Sequence, residues 1–295
     1  MRPAILAAAL LLAACSTTSQ VAQTEAAPNS VASQWRQQVM EISAGDDTAA
    51  RGQAIKSRLS SLGLDPHEES FVSGEHKGSN IFADVSGSPG APLLLIGAHY
   101  DRVAIGRGAT DNASGSAAVL ELAAAFKARP LRNHRVVVVF WDLEERGLLG
   151  SRAYVSDPGS EKPAMYVNFD VFGWGDTLWM MRPAKELWLD AETSAAAKAN
   201  GFQLNAGEMY PPTDHLAFLR AGWPAVSFSL TDGDEIAGVL AAYQRSGKDT
   251  AAPPKIMQVI HSENDTVEQL EPATIPVALR TVEDALRAWD AANPQ

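Results

Sequence analysis

The chain has 295 residues, with 24 Lys and Arg against 35 Asp and Glu, a formal charge of −11. Its composition, 46% hydrophobic and 20% charged with 22 Gly and 17 Pro, is that of a globular protein with ample material for a large core. The acidic balance argues against nucleic acid as a partner, because phosphate binding needs clustered Lys and Arg, and it is compatible with cations and amines.

The N-terminal residues read as a targeting segment. Arg2 supplies a positive start and Ala4–Ala14 is an apolar run too short to span a bilayer. It ends in Leu12-Ala13-Ala14-Cys15, which resembles a bacterial lipobox. Residues 1–15 are therefore expected to be a lipoprotein signal, with Cys15 lipidated. Ser16 after the cysteine is compatible with sorting to the outer membrane, which places the protein in the cell envelope at the periplasmic face. Cys15 is the only cysteine, so no intramolecular disulfide can form. Residues 16–33, rich in Ser, Thr, Ala and Gln, read as a tether, and residues 34–295 as a single domain.

From Gln34 to Leu62 two helices are predicted, broken at Ala44-Gly45-Asp46, with Gly63 as a C-terminal stop. Extended segments follow at His67–Val72 and Asn80–Val85, around the turn residues 73–78. Leu93–Ile96 and Val136–Trp141 are unbroken apolar runs, as expected of strands buried on both faces. The Ala- and Leu-rich Ser114–Lys127 between them reads as a crossover helix. Met165–Phe169 and Ala225–Phe228 read as further inner strands, and Ala184–Ala199 and Pro272–Ala291 as helices. Strands alternating with helices give an α/β class: a three-layer sandwich with a mostly parallel mixed sheet flanked by helices.

Ligands of open α/β sheets bind beyond the carboxyl ends of the strands. His99 and Asp101 follow the first apolar run, and Asp111 closes a Gly-rich loop where the crossover helix begins. Asp142, Glu144 and Glu145 follow the second run, Asp170 ends the third, and His261 follows the apolar segment Met257–Ile260. Carboxylates gathered without Lys or Arg repel one another and resist ionisation. A divalent metal resolves the conflict, and two His with three carboxylates suffice to hold a pair of zinc ions about 3.5–4 Å apart.

These segments also carry a family resemblance. His99-Tyr100-Asp101, Gly108-Ala109-Thr110-Asp111-Asn112-Ala113-Ser114-Gly115, Asp142-Leu143-Glu144-Glu145, Asn168-Phe169-Asp170 and His261-Ser262-Glu263-Asn264-Asp265-Thr266 resemble, in order, the motifs of the M28 family of zinc aminopeptidases. Thr213-Asp214-His215, with Phe218 and Gly222-Trp223-Pro224-Ala225, is similar to a later family segment. The resemblance implies a zinc-exopeptidase-like fold holding two Zn2+ ions. Asp111 would bridge them, His99 and Asp170 would complete one, and Glu145 and His261 the other. Glu144 would be the general base for a zinc-activated water attacking an N-terminal peptide bond. Adjacent Glu144 and Glu145 cannot both face one metal, which fits that division. Asp101 is expected to hydrogen-bond the second nitrogen of His99, Asp265 to do the same for His261, and the Asp111–Asn112 peptide to be cis. The implied substrates are peptides with a free N-terminus, the amine held by Glu144 and Asp170.

A glutaminyl cyclase-like acyltransferase shares this fold and much of the pattern, and is the alternative. The segments after Asp111 and around His261 look more like the peptidases, and Ile260 stands where cyclases tend to carry Trp. A non-catalytic scaffold relative would have lost ligands, whereas here all five metal positions and the base are filled. Trp174, Trp179 and Trp188 read as packing or pocket wall, Asp232–Glu235 as a solvated loop, and His67, His76 and His134 as exposed. Asp214 and His215 are given no ligand role and read as residues that support the site or the fold, and the oligomeric state is left open.

Overall fold

A computed structural model describes residues 30–185, 189–244 and 253–294. The signal segment, Cys15, most of the tether and Trp188 lie outside the described residues. Helix α1 (Val31–Ser43) begins three residues earlier than expected, because the Ser30 side chain accepts the Ser33 N–H and caps it. Asp47 caps α2 (Thr48–Ser61) in the same way. Trp35, Val39 and Ile42 recur at helical spacing on α1 and are wholly buried.

The sheet has eight strands: β1 (His67–Ser73), β2 (His76–Ser86), β3 (Leu93–His99), β4 (Arg135–Trp141), β5 (Met165–Phe172), β6 (Thr177–Met181), β7 (Gln203–Gly207) and β8 (Ala225–Thr231). Their spatial order is β1-β2-β4-β3-β5-β8-β6-β7. The inner strands β4, β3, β5 and β8 pair in parallel, β1, β2 and β6 pair antiparallel to their inner neighbours, and β7 is parallel to β6. The β1–β2 connection is tighter than predicted, since only Gly74 and Glu75 lie between the strands.

Alternation along β3 divides the core. Leu94 and Ile96 face one layer of helices, α1, α2, α3 (Ser114–Ala128) and α9 (Ile275–Ala292). Leu93 and Leu95 face the other, with Phe82, Trp141, Tyr154 and Phe218 around α4 (Leu149–Ser156) and α6 (His215–Arg220). Each buried aliphatic side chain contributes about 1.5–3 kcal/mol, so burial on both faces makes these strands the rigid part of the fold. The helix expected at Ala184–Ala199 starts later, at α5 (Asp190–Asn200). Among the described residues no helix is long and apolar enough to cross a membrane.

Two expectations away from the site are corrected. His134 is buried, its Nδ1 2.9 Å from Asp290 Oδ1 and its ring 4.2 Å from that of Trp289. Its polar sequence neighbours hid a contact made by the C-terminal helix. Glu235 is not a solvated loop residue. It receives the Trp174 Nε1–H (3.3 Å), the Thr231 hydroxyl (3.0 Å) and the Lys255 N–H (2.5 Å). It thus ties the chain entering α7 (Ile236–Gln244) to the start of α8 (Lys255–Val259). The apolar segment before His261 is a short helix.

Candidate metal centre

Because β3, β4 and β5 run in parallel, their carboxyl ends share one edge, and there His99, the Glu144-Glu145 turn and Asp170 come together. His99 Nε2 lies 3.1 Å from Asp111 Oδ1 and 3.5 Å from Asp170 Oδ1. On the other side, His261 Nε2 lies 3.1 Å from both Asp111 Oδ2 and Glu145 Oε2. The two oxygens of Asp111 therefore each face a different imidazole. Donors about 2.0–2.2 Å from a shared ion stand about 3.3–3.6 Å apart when tetrahedral, and the spacings here, 3.1–3.5 Å, are close to that. Single donor atoms of His99, Glu144 and Asp170 lie within 4.8 Å of one another, as do those of Asp111, Glu145 and His261. The structure thus brings all six sequence-selected groups together, with Glu144 on the His99 side.

Around this centre the chain is held by hydrogen bonds that sequence reading reached only in part. Asp101 lies 3.4 Å from His99 Nδ1, on the expected side of the ring. At that length the contact is an electrostatic neighbour more than a hydrogen bond, and Nδ1 has no closer partner. The stronger bonds of Asp101 are to the Glu144 (3.0 Å) and Glu145 (3.2 Å) N–H groups, so one carboxylate couples the imidazole to the glutamate turn. Asp265 does not orient His261. It accepts the Thr110 N–H at 2.6 Å and the Asp111 N–H at 3.2 Å, holding the central aspartate from below. Asp142 turns away and accepts the Ser79 N–H. The Asp111–Asn112 peptide is cis, as the resemblance implied.

Asn112 locks the end of β5. Its Nδ2 donates to Phe169 O (2.9 Å), and its Oδ1 accepts the Gly115 (2.9 Å) and Val171 (3.3 Å) N–H groups. The pairing of β5 with β8 shifts register between Phe169 and Phe172, and this irregularity re-aims Asp170. A Cβ at Gly115 would stand 2.3 Å from Asn112 Oδ1 and 2.7 Å from Phe169 O, so only glycine fits. Leu143, Leu148, Val171 and His261 adopt left-handed backbone, with φ between 56° and 62°. Such conformations cost about 1–3 kcal/mol each outside glycine, and here they flank Glu144, Asp170 and the imidazole of His261.

The electrostatics are those of anions short of counter-charge. Burial pushes the Glu144 carboxyl well above the ordinary glutamate range, helped by Asp214, Asp170 and Asp111. Burial likewise raises Glu145. His261, hydrogen-bonded to Asp111 and Glu145, is raised to about 10. Burial alone would lower His99, but Glu144, Asp101, Asp111 and Asp170 hold it well above its usual value. Burial opposes ionisation of Asp111, yet the two imidazoles keep its carboxyl far below the usual range. Glu145 Oε1 and Asp170 Oδ1 are buried without a hydrogen-bond partner. No Lys or Arg lines the cleft among the described residues. Divalent cations supply what these side chains lack, so the donor set fits a metal.

Beside the donors lies a cavity of about 70 Å³ walled by Val171, Trp179, Tyr210, Val239, Tyr243 and Met257, among others. Trp179 is thus pocket wall, as expected, whereas Trp174 packs beneath α8 with Lys255 Nζ 4.3 Å from its ring centroid. Asp214, given no ligand role from the sequence, is wholly buried, raised to about 7 by burial, and close enough to Glu144 and His99 for the charges to interact. Its neighbour His215 is pulled down to about 3 by burial and stands edge-on to Tyr210. The Asp-His pair in the sequence was the available signal.

Residues 80–286 match the model of peptidase family M28. The chain belongs to that family. Among M28-like relatives, the probable lipoprotein aminopeptidase LpqL of Mycobacterium tuberculosis is 40% identical over 98 residues, 32% of this chain and 20% of its own length. The first curated relatives align over 32–40% of this chain, and this chain spans only 20–28% of theirs. The zinc aminopeptidase BSAP of Bacillus subtilis has the same fold, with a TM-score of 0.58 at 24% identity over 73% of this chain and 51% of that one. Porphyromonas gingivalis glutaminyl cyclase shares it too, with a TM-score of 0.68 at 18% identity over 88% of this chain and 98% of that one. Both likenesses speak to fold alone.

Proposed function

We propose that this M28 chain is a metal-dependent aminopeptidase that removes N-terminal residues from peptides. The observation that carries the reading is the central carboxylate: Asp111 presents one oxygen to His99 and the other to His261, each at 3.1 Å. His99, Asp111 and Asp170 would hold one zinc ion, and Asp111, Glu145 and His261 a second. Bound there, the pair would offset the carboxylate charge, polarise a scissile carbonyl and acidify water. Glu144 lies beside His99 and Asp170, but the oxygen of Asp111 already stands nearer to His99, which leaves the Glu144 carboxylate for proton transfer. It takes a proton from the attacking water and returns it to the leaving amine. Asp101 positions both the imidazole and the glutamate turn. The free α-amine of the substrate meets Glu144 and Asp170, and the apolar cavity beside them receives the side chain of the first residue.

Metal content and a panel of aminoacyl-p-nitroanilides, measured with and without chelator, test the reading. Two zinc ions per chain and chelator-sensitive release of p-nitroaniline are expected. Mass spectrometry of a peptide beginning with Gln separates the aminopeptidase reading from the cyclase alternative, since loss of ammonia signals cyclisation and loss of a residue signals hydrolysis. We also infer that the chain is a cell-envelope lipoprotein anchored through Cys15. The lipobox-like segment supports this, as does the likeness to a lipoprotein aminopeptidase. A Cys15→Ala variant should leave the membrane fraction.

A further inference from the structure

The segment between the first two metal-binding motifs is held by a group that no motif contains. Arg51, on α2, is wholly buried and lies outside the family match at residues 80–286. Its guanidinium donates from Nε to Tyr100 O (2.6 Å), from Nη1 to Arg107 O (2.9 Å) and from Nη2 to Gly108 O (3.1 Å). Tyr100 follows His99 directly, and Gly108 precedes Asp111 by three residues. One planar group thus ties together the two ends of the loop that joins these donors. The loop answers with its own arginines. Arg107 donates to Ser43 O (3.0 Å), Ala44 O (2.6 Å) and Asp46 Oδ1 (3.1 Å), and Arg102 to Asp46 O (2.9 Å), all in the α1–α2 connection. From the opposite side Asp265 O accepts the Arg107 N–H at 2.9 Å.

Arg51 makes none of these bonds to a carboxylate, which is unusual for a buried cation, because burial without an ion-pair partner is costly. Burial lowers it only to about 10, so it stays charged at neutral pH, and the anions it feels are Asp101, Asp265 and Asp111. A role confined to holding α2 in place would be met by an apolar side chain at lower cost. We propose that the Arg51 clasp, reinforced by Arg107, is a positioning device for the metal centre: it fixes the separation of His99 and Asp111 and sets a permanent positive charge behind the acidic cluster. The N-terminal helical pair is then part of the site and not an accessory to it. This rests on the metal-centre reading above.

Arg51→Lys, Arg51→Gln and Arg107→Ala test the clasp, with Arg58→Ala as control, since Arg58 pairs with Glu41 between the same two helices and touches no part of the loop. Zinc dissociation constants are measured by competition with a chromophoric chelator, beside cooperative melting, kcat and KM. Loss of a group that orients metal donors costs about 10–100-fold in affinity. That loss is expected for the folded fraction of both Arg51 variants. Lysine should not rescue, because one ammonium cannot span Tyr100 O and Gly108 O as the planar fork does. Arg107→Ala, on a half-exposed side chain, should weaken zinc several-fold, kcat should fall more than KM rises, and Arg58→Ala should match the parent. Parent-like zinc affinity in Arg51→Gln or in Arg107→Ala overturns the proposal. If the Arg51 variants do not fold, Arg107→Ala decides alone. A parent that binds no zinc refutes the metal-centre reading itself, so the two failures are distinct.

Discussion

Dialysis against a chelator should destabilise the protein, and more so as the pH rises. Glu144 and Asp170 present oxygens within 4.8 Å of each other, and so do Asp111 and Glu145. At an effective dielectric constant of about 20, two like charges at that distance repel by about 3.5 kcal/mol, or about 7 kcal/mol for both pairs. That is a large share of the roughly 5–15 kcal/mol that holds a typical fold together. Without ions, protons must take over. Glu144 and Glu145 are raised, so their ionisation costs nothing below the ordinary glutamate range and an increasing amount above it. His261 is raised to about 10, so its contribution is complete below about 6.5 and disappears as the pH climbs toward 10. Both trends make the metal-free protein less stable from pH 5 to pH 9. The zinc-loaded protein should follow the opposite course at the acid end, where protons compete for the donors. Calorimetric melting of the two forms across that range should give curves that meet near pH 5 and stand about 10 °C apart by pH 8, with half of the repulsion relieved by bound protons. Equal melting temperatures at pH 8, or a metal-free curve flat from pH 5 to pH 9, would refute the charge argument.

Other outcomes follow from single contacts. Glu144→Gln should retain both zinc ions and lose about 10²–10⁴-fold in kcat on an aminoacyl-p-nitroanilide; loss of one ion would instead make Glu144 a ligand. Asp265→Ala strands the buried Thr110 and Asp111 N–H groups, at about 1–3 kcal/mol each, and should weaken zinc binding as well as lower the melting temperature. Zinc affinity equal to the parent's in that variant would show that Asp111 is held by other means. His134→Ala removes a charge-assisted bond worth about 1.5–3 kcal/mol, while Asp290 keeps the N–H groups of Arg132, Asn133 and His134. His134 precedes β4, at the edge of the sheet opposite the cleft, so kcat per folded molecule should not change.

What could be read in the sequence follows where the information lies. Leu93–Ile96 and Val136–Trp141 are apolar without alternation because helices cover both faces, and that pattern is local. The donors could be found because parallel strands send their carboxyl ends to one edge. Strand β7, Gln203-Leu204-Asn205-Ala206-Gly207, carries little apolar pattern, because it is a half-covered edge strand, and it was not predicted. Asp265 sits four residues from His261 in the chain, yet it bonds to residues about 155 positions away, and no spacing rule conveys that. Arg51 shares α2 with Lys56 and Arg58 and reads as one more solvated cation until the loop closes over it. The left-handed Val171 is equally silent, because valine is a poor residue for that conformation and only surrounding bonds impose it.

The fastening at Glu235 has a consequence for how the cavity wall can vary. Glu235 stands just before α7 and accepts the N–H of Lys255 at the start of α8, and both helices carry walls of the cavity beside the candidate donors. Closing a longer loop at the same two points costs only about 0.6 kcal/mol per doubling of length. Changes of length in the connection between α7 and α8 can therefore be sampled without loosening the strands that aim the candidate donors. The wall of the cavity is thereby free to change shape while the edge of the sheet that gathers the acidic and imidazole groups stays as it was.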